Sequence, residues 1–123
     1  MAPSKYDLED RLLEYACKIV KIVEKLPKTR TGNHIANQLL GSGTSPYPHH
    51  GEAQAAESKK DFVHKMRVCL KELREAYRWL KLIDRLSLIS PNQIVSEAIS
   101  ETEELKKIFY TSIKTAQNKK GTN

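Results

Sequence analysis

Apolar residues recur at three- and four-residue intervals in four stretches of the chain, as expected of helices that each bury one face. The first runs from Asp7, a capping residue type, to about Lys25, with Leu8, Leu12, Tyr15, Ala16, Ile19, Val23 and Leu26 on one face until Pro27 interrupts it. Pro27 to Gly32 reads as a turn. A second helix carries Ile35, Ala36, Leu39 and Leu40 and weakens at Gly41, Ser42 and Gly43. Pro46 and Pro48 each lack an amide donor, so Gly43 to Gly51 is expected to be a kink or irregular connector, with helix resuming by Glu52 or Ser58.

The third stretch is the longest. From about Ser58 to Leu86 it repeats Phe62, Met66, Cys69, Leu70, Leu73, Tyr77, Leu80 and Ile83, and as a helix it extends on the order of 40 Å. Ser90, Pro91 and Gln93 then predict a helix start: a serine cap, proline at the first helical position, and a glutamine that reaches back to the cap amide. Ile94, Ala98, Thr102, Leu105, Ile108, Phe109, Ser112, Ile113 and Ala116 form the apolar face of this fourth helix. The tail from Asn118 to Asn123 is too polar to pack. Four helices with short connections predict an all-α, antiparallel up-and-down four-helix bundle, one domain spanning residues 1–123 with an ordered core of about 6–117.

Two features go beyond a simple bundle. Arg67, Lys71, Arg74, Arg78, Lys81 and Arg85 alternate steps of four and three, which holds all of them on one flank about a third of a turn from the apolar stripe. The first helix also bears a second line, Tyr6, Leu13, Cys17 and Val20, roughly 120° from its main face. In the third helix Val68, Trp79 and Leu82 likewise point away from the core stripe, on the side opposite the basic flank. One core cannot use both lines, so these residues are expected to form a subunit interface in a homo-oligomer.

Charge sharpens the expected partner. A net charge of +6 and a pI near 9.3 favour polyanions such as RNA or DNA, or an acidic protein surface. No stretch has the roughly 20 unbroken apolar residues of a membrane span, and Met1 to Asp10 lacks an apolar signal core, so no membrane association and a cytoplasmic location are expected. Cys17 and Cys69 form neither a CxxC pair nor a metal-like spacing and are expected to be reduced packing residues.

Catalytic constellations are weak. Asp61 and His64 share a helix face, but a di-iron bundle needs a second such pair and inward glutamates, whereas Glu14, Glu24, Glu97 and Glu104 fall on solvent-facing lines. His49 and His50 are adjacent, so they cannot converge as ligands on successive turns; they are expected to be exposed loop or interface side chains, and His34 a helix-start surface residue. Ser42 to Ser45 lacks the GxxxxGK[ST] pattern of a phosphate loop and is better read as a helix break. No catalytic residue, metal site or cofactor is expected.

Leu26-Pro27-Lys28-Thr29, His34-Ile35-Ala36-Asn37-Gln38-Leu39-Leu40, Ser42-Gly43-Thr44-Ser45, Glu52-Ala53, Ala56-Glu57-Ser58, Asp61-Phe62, Leu70-Lys71-Glu72-Leu73-Arg74-Glu75 and Trp79-Leu80 resemble, in order and spacing, the bacterial four-helix bundle proteins encoded in 23S ribosomal RNA intervening sequences. The likeness runs from about Tyr6 to Ala116. It implies an up-and-down protomer assembling into a ring-like homopentamer. A related group, the accessory proteins of diversity-generating retroelements, implies binding to nucleic acid and to a reverse transcriptase. The connector departs from the family's usual asparagine-tyrosine with His49 and His50. Residues and resemblance together predict a non-enzymatic oligomeric scaffold whose basic flank binds RNA or DNA backbone. The rival is an adaptor docking an acidic protein such as a reverse transcriptase-like partner.

Overall fold

Each apolar stripe forms a helix, and the helices close around one core. The computed structural model describes residues 5–118, with side chains from Asp7 onward; it comprises α1 (Lys5–Lys25), α2 (Arg30–Thr44), α3 (Pro46–Gln54), α4 (Lys59–Arg85) and α5 (Gln93–Asn118). α2 and α3 are joined through Ser45 alone and act as one bent rod, so the described residues form a four-rod bundle. α1 packs against this rod on one side and α5 on the other, and α4 does the same, which leaves α1 and α4 diagonally opposed. The central side chains include Tyr15, Ile19, Ile22, Leu39, Met66, Leu73, Leu80, Leu105 and Phe109, each no more than 1% exposed. Burying a side chain of this size contributes about 1.5–3 kcal/mol, so the core outweighs any single surface contact.

Local chemistry sets the helix ends. Thr29 caps α2 by accepting from the Gly32 amide at 3.0 Å, and Ser58 caps α4 by accepting from Asp61 at 3.0 Å. α4 ends in a left-handed Ser87 with φ of 53°, where the Leu88 amide donates to Ile83 at 3.2 Å and the Ser87 amide to Asp84 at 3.1 Å. Two glycines permit close approach: a Cβ at Gly32 would meet the Pro27 carbonyl oxygen at 1.9 Å, and one at Gly43 would meet Ile19 at 2.7 Å. Between α1 and α5, the Thr102 hydroxyl donates to the Ala98 carbonyl at 2.6 Å, so the buried Tyr15 hydroxyl, 2.7 Å away, donates to Thr102. Burial pushes the Tyr15 phenol pKa up, keeping it a neutral donor.

The structure corrects several sequence expectations. The segment from Gly43 to Gly51 is helical apart from Ser45. Pro46 and Pro48 occupy the first turn of α3, where amides have no intrahelical acceptor, so neither proline removes an α3 bond. Because α3 is a helix, Pro46, His50 and Ala53 fall on one inward face. His50 is therefore buried rather than exposed, 1% accessible, edge-on to Phe109 with centroids 6.0 Å apart. α5 starts at Gln93, not at Ser90; Asn92 accepts from the Ser96 amide and its side-chain amide donates to Asp84, while Gln93 bonds forward to Glu97. Asp7 lies within α1 rather than capping it. The expected polar tail lies outside the described residues except for Asn118, which ends α5.

Two stability outcomes follow from these contacts. In urea unfolding, Gly43→Val should lose about 1–3 kcal/mol through overpacking on Ile19, whereas Gly41→Ala, with nothing within 4 Å, should gain about 0.5–1 kcal/mol. Ser87→Gly should gain about 0.5–1 kcal/mol by removing the left-handed penalty at the α4 C-terminus; an unchanged denaturation midpoint would show that the serine carries no such cost.

Candidate nucleic-acid interface

Burial of Met66, Cys69, Leu70, Leu73, Ala76, Leu80 and Ile83 fixes the rotation of α4, and that rotation places the basic flank at the surface. Arg67, Lys71, Arg74, Arg78, Lys81 and Arg85 are all exposed. The ion pairs among the described residues are Arg11 with Glu101, Lys18 with Glu97, Lys65 with Asp61 and Lys106 with Glu103, so none of the six is neutralised by a carboxylate within 4 Å. Glu75 borders the same groove as Arg74 and Arg78 without an ion pair to either, and it accepts from the Trp79 indole at 3.1 Å.

The flank faces toward α5, which adds charge that the spacing within α4 could not reveal. Arg74, Tyr77 and Arg78 line one groove with Lys106 of α5. The Lys106 ammonium sits 3.9 Å from the centroid of the Tyr77 ring, and Lys81 sits 5.9 Å from it, both at cation–π range. The Glu103 carboxylate, as hydrogen-bond acceptor and then as a nearby charge alongside burial, holds the Tyr77 phenol above its usual range. Lys106, Tyr110 and Lys114 recur every four residues on α5 and so follow one line along it, of which Lys106 borders the α4 groove. That register was visible in the sequence, but its proximity to the α4 flank depends on how the two helices pack.

Carboxylates collect elsewhere. A second groove, between α1 and α5, is lined by Glu14, Glu97, Glu101 and Glu104 together with Arg11 and Lys18. Arg11 makes a two-pronged contact with Glu101 at 3.0 and 2.8 Å, which raises the guanidinium pKa further, and Lys18 reaches Glu97 at 3.1 Å. Gln93 and Lys18 together hold Glu97 below the usual carboxylate range. These pairs are part-exposed and screened by solvent, so they contribute little stability, but they direct α5's acidic side toward α1.

The residues considered for catalysis are dispersed. Asp61 bonds Lys65 at 2.8 Å, which with the Glu57 amide holds it below the usual range, so its carboxylate is engaged away from His64. Among the described residues, no three histidine, cysteine, aspartate or glutamate side chains converge as metal ligands. Cys69 is fully buried with its thiol pushed up to about 12, too protonated to act as a nucleophile near neutral pH. Cys17 is exposed.

The off-core apolar residues fall on two faces. Leu13, Cys17 and Val20 are exposed on the side of α1 toward α2, where α2 contributes the exposed Leu40. Leu82 is exposed on α4, but Val68 and Trp79 are half-buried; Trp79 packs on the core and meets the His34 ring edge-on at 5.8 Å. The Tyr6 side chain lies outside the described residues. The lines on α1 and α4 therefore flank α2 on opposite sides and do not merge within one protomer.

The same fold occurs in a solved protein of unknown function from the S23 ribosomal protein family of Bacteroides thetaiotaomicron VPI-5482. The two are 31% identical, with 89% of this chain and 97% of that one covered and a TM-score of 0.80. No curated protein matches the chain. Among the described residues, no helix is long and apolar enough to cross a membrane. The profile described as 23S rRNA-intervening sequence protein matches residues 5–111, nearly the whole bundle, and the chain belongs to that family.

Proposed function

We propose that this protein is a non-enzymatic, oligomeric helical scaffold that binds nucleic acid backbone through the α4 flank. The observation that carries this reading is the row of six exposed cations with no carboxylate partner within 4 Å among the described residues. Like charges at three- and four-residue spacing repel one another, and a phosphate chain relieves that repulsion while releasing its own counterions. Over the 18 helical steps from Arg67 to Arg85 the row extends about 27 Å, enough for several phosphates. Contacts of this kind position a polyanion and select little sequence.

Oligomerisation is proposed on separate grounds. Leu13, Val20 and Leu82 are 39%, 41% and 39% exposed, and they lie on two different faces, as a head-to-tail contact between copies requires. Repeating the cationic flank around such an assembly would multiply affinity without any new contact.

Titrating a structured RNA fragment across a salt series should give a steep fall in affinity with salt. The triple substitution of Arg74, Arg78 and Lys81 to glutamate should weaken binding throughout and reduce the logarithmic slope by about 2–3. Unchanged affinity would remove the flank from the proposal. A partner retained after nuclease treatment, by purified protein that ignores RNA, would favour docking of an acidic protein instead.

The assembly is checked by solution mass, expected at a multiple of 14.0 kDa at micromolar concentration. Leu13→Glu with Val20→Glu should yield folded monomers, because both side chains are exposed in the protomer while burying a carboxylate at a subunit contact costs several kcal/mol. Trp79 is a poor probe here, since it also packs on its own core. A wild-type monomer, or a variant that still assembles, would overturn this arrangement.

A further inference from the structure

The α4–α5 face combines Arg74 and Arg78, which have no carboxylate partner within 4 Å among the described residues, and Lys106, paired with Glu103 at 4.0 Å, with an aromatic ring that its own packing does not use. Tyr110 is 53% exposed, the most accessible of the large hydrophobic side chains among the described residues. On α5 it lies one turn from Lys106 and one turn from Lys114, with Lys107 three residues away, so it is bordered by ammonium groups along the helix. Lys106 in turn lines the groove with Arg74, Tyr77 and Arg78, and with Glu75, whose carboxylate is engaged by the Trp79 indole at 3.1 Å. Tyr77 is not equivalent to Tyr110: its ring already carries the Lys106 ammonium at 3.9 Å. Tyr110 is the open aromatic on this face among the described residues.

We propose that this face selects single-stranded nucleic acid, with phosphates on Arg74, Arg78 and Lys106 and an unpaired base stacked on Tyr110. The inference rests on the backbone-binding reading above and names its ligand class. A duplex presents phosphates but keeps its base faces stacked internally, so it satisfies the cations and leaves Tyr110 without a partner. A single strand offers both, and stacking on an aromatic ring tolerates any base.

The test uses the full-length protein, fluorescence anisotropy, a single-stranded oligoadenylate of about a dozen nucleotides and a duplex RNA of equal length. The single strand should bind more tightly than the duplex at the same salt. Tyr110→Ala should weaken single-strand binding about tenfold and leave duplex binding within about twofold, whereas Tyr110→Phe, which keeps the ring, should retain wild-type affinity. Since Tyr110 is half-exposed, both variants are expected to fold, as far-ultraviolet circular dichroism will verify. If Tyr110→Ala binds both probes like wild type while Arg74→Glu with Arg78→Glu weakens them, the stacking proposal is overturned and the cationic reading survives. If neither set of substitutions matters, or neither probe binds, both fall.

Discussion

Burial of a single stripe of α4 between α5 and the bent rod of α2 and α3 sets the rotation of the longest described helix, and the surface chemistry follows from that rotation. Met66, Leu73, Leu80 and Ile83 are at most 1% exposed, so α4 cannot turn about its axis without exposing several large apolar side chains. Each would cost about 1.5–3 kcal/mol, far more than the mutual repulsion of solvated cations. The core therefore holds Arg67 to Arg85 outward on the α5 side even though their proximity to one another is unfavourable. A helix stabilised in this way can carry an unneutralised charge row as a standing feature of its surface.

Charge segregation across α5 completes the picture. Glu97 and Glu101 are drawn to Lys18 and Arg11 of α1, while Lys106 turns to the other side and caps Tyr77. Because these pairs are part-exposed, their energies are small, but their geometry separates an acidic groove from a basic face by the width of one helix. Glu75 and Glu103 are the carboxylates on the basic side, Glu75 in the groove and Glu103 4.0 Å from the Lys106 ammonium. The two faces then offer different chemistry to different partners, with the off-core apolar residues of α1 and α4 on the remaining sides.

Most of the bundle was legible in the sequence, because helical periodicity is a property of neighbouring residues on one element. The residues assigned to the α1, α4 and α5 faces mostly pack inward, with Tyr77 the exception, since it lines the surface groove under Lys106; Ile22, Ala76 and Val95, all buried, escaped the simple pattern. The connector was misread for a specific reason. Two prolines argue against helix only where their amides are needed, and a new helix beginning at Pro46 places both where no acceptor waits. His50 followed from that error, since a residue in a presumed loop has no periodicity by which to judge its burial. Gln93 as a cap partner failed because its side chain finds Glu97 one turn ahead.

By itself the chain's sequence determined the all-helical class, the length and inner face of α4, the regular register of its six cations and the outward position of Leu13, Cys17 and Val20. Only the tertiary structure decided that those cations lack carboxylate partners among the described residues, that Lys106, itself paired with Glu103, borders them, and that the apolar lines of α1 and α4 lie on separate faces. The division has a physical basis. Periodicity reports which way a side chain leaves its own helix, whereas neutralisation, groove formation and patch continuity depend on what a second helix brings within a few ångströms.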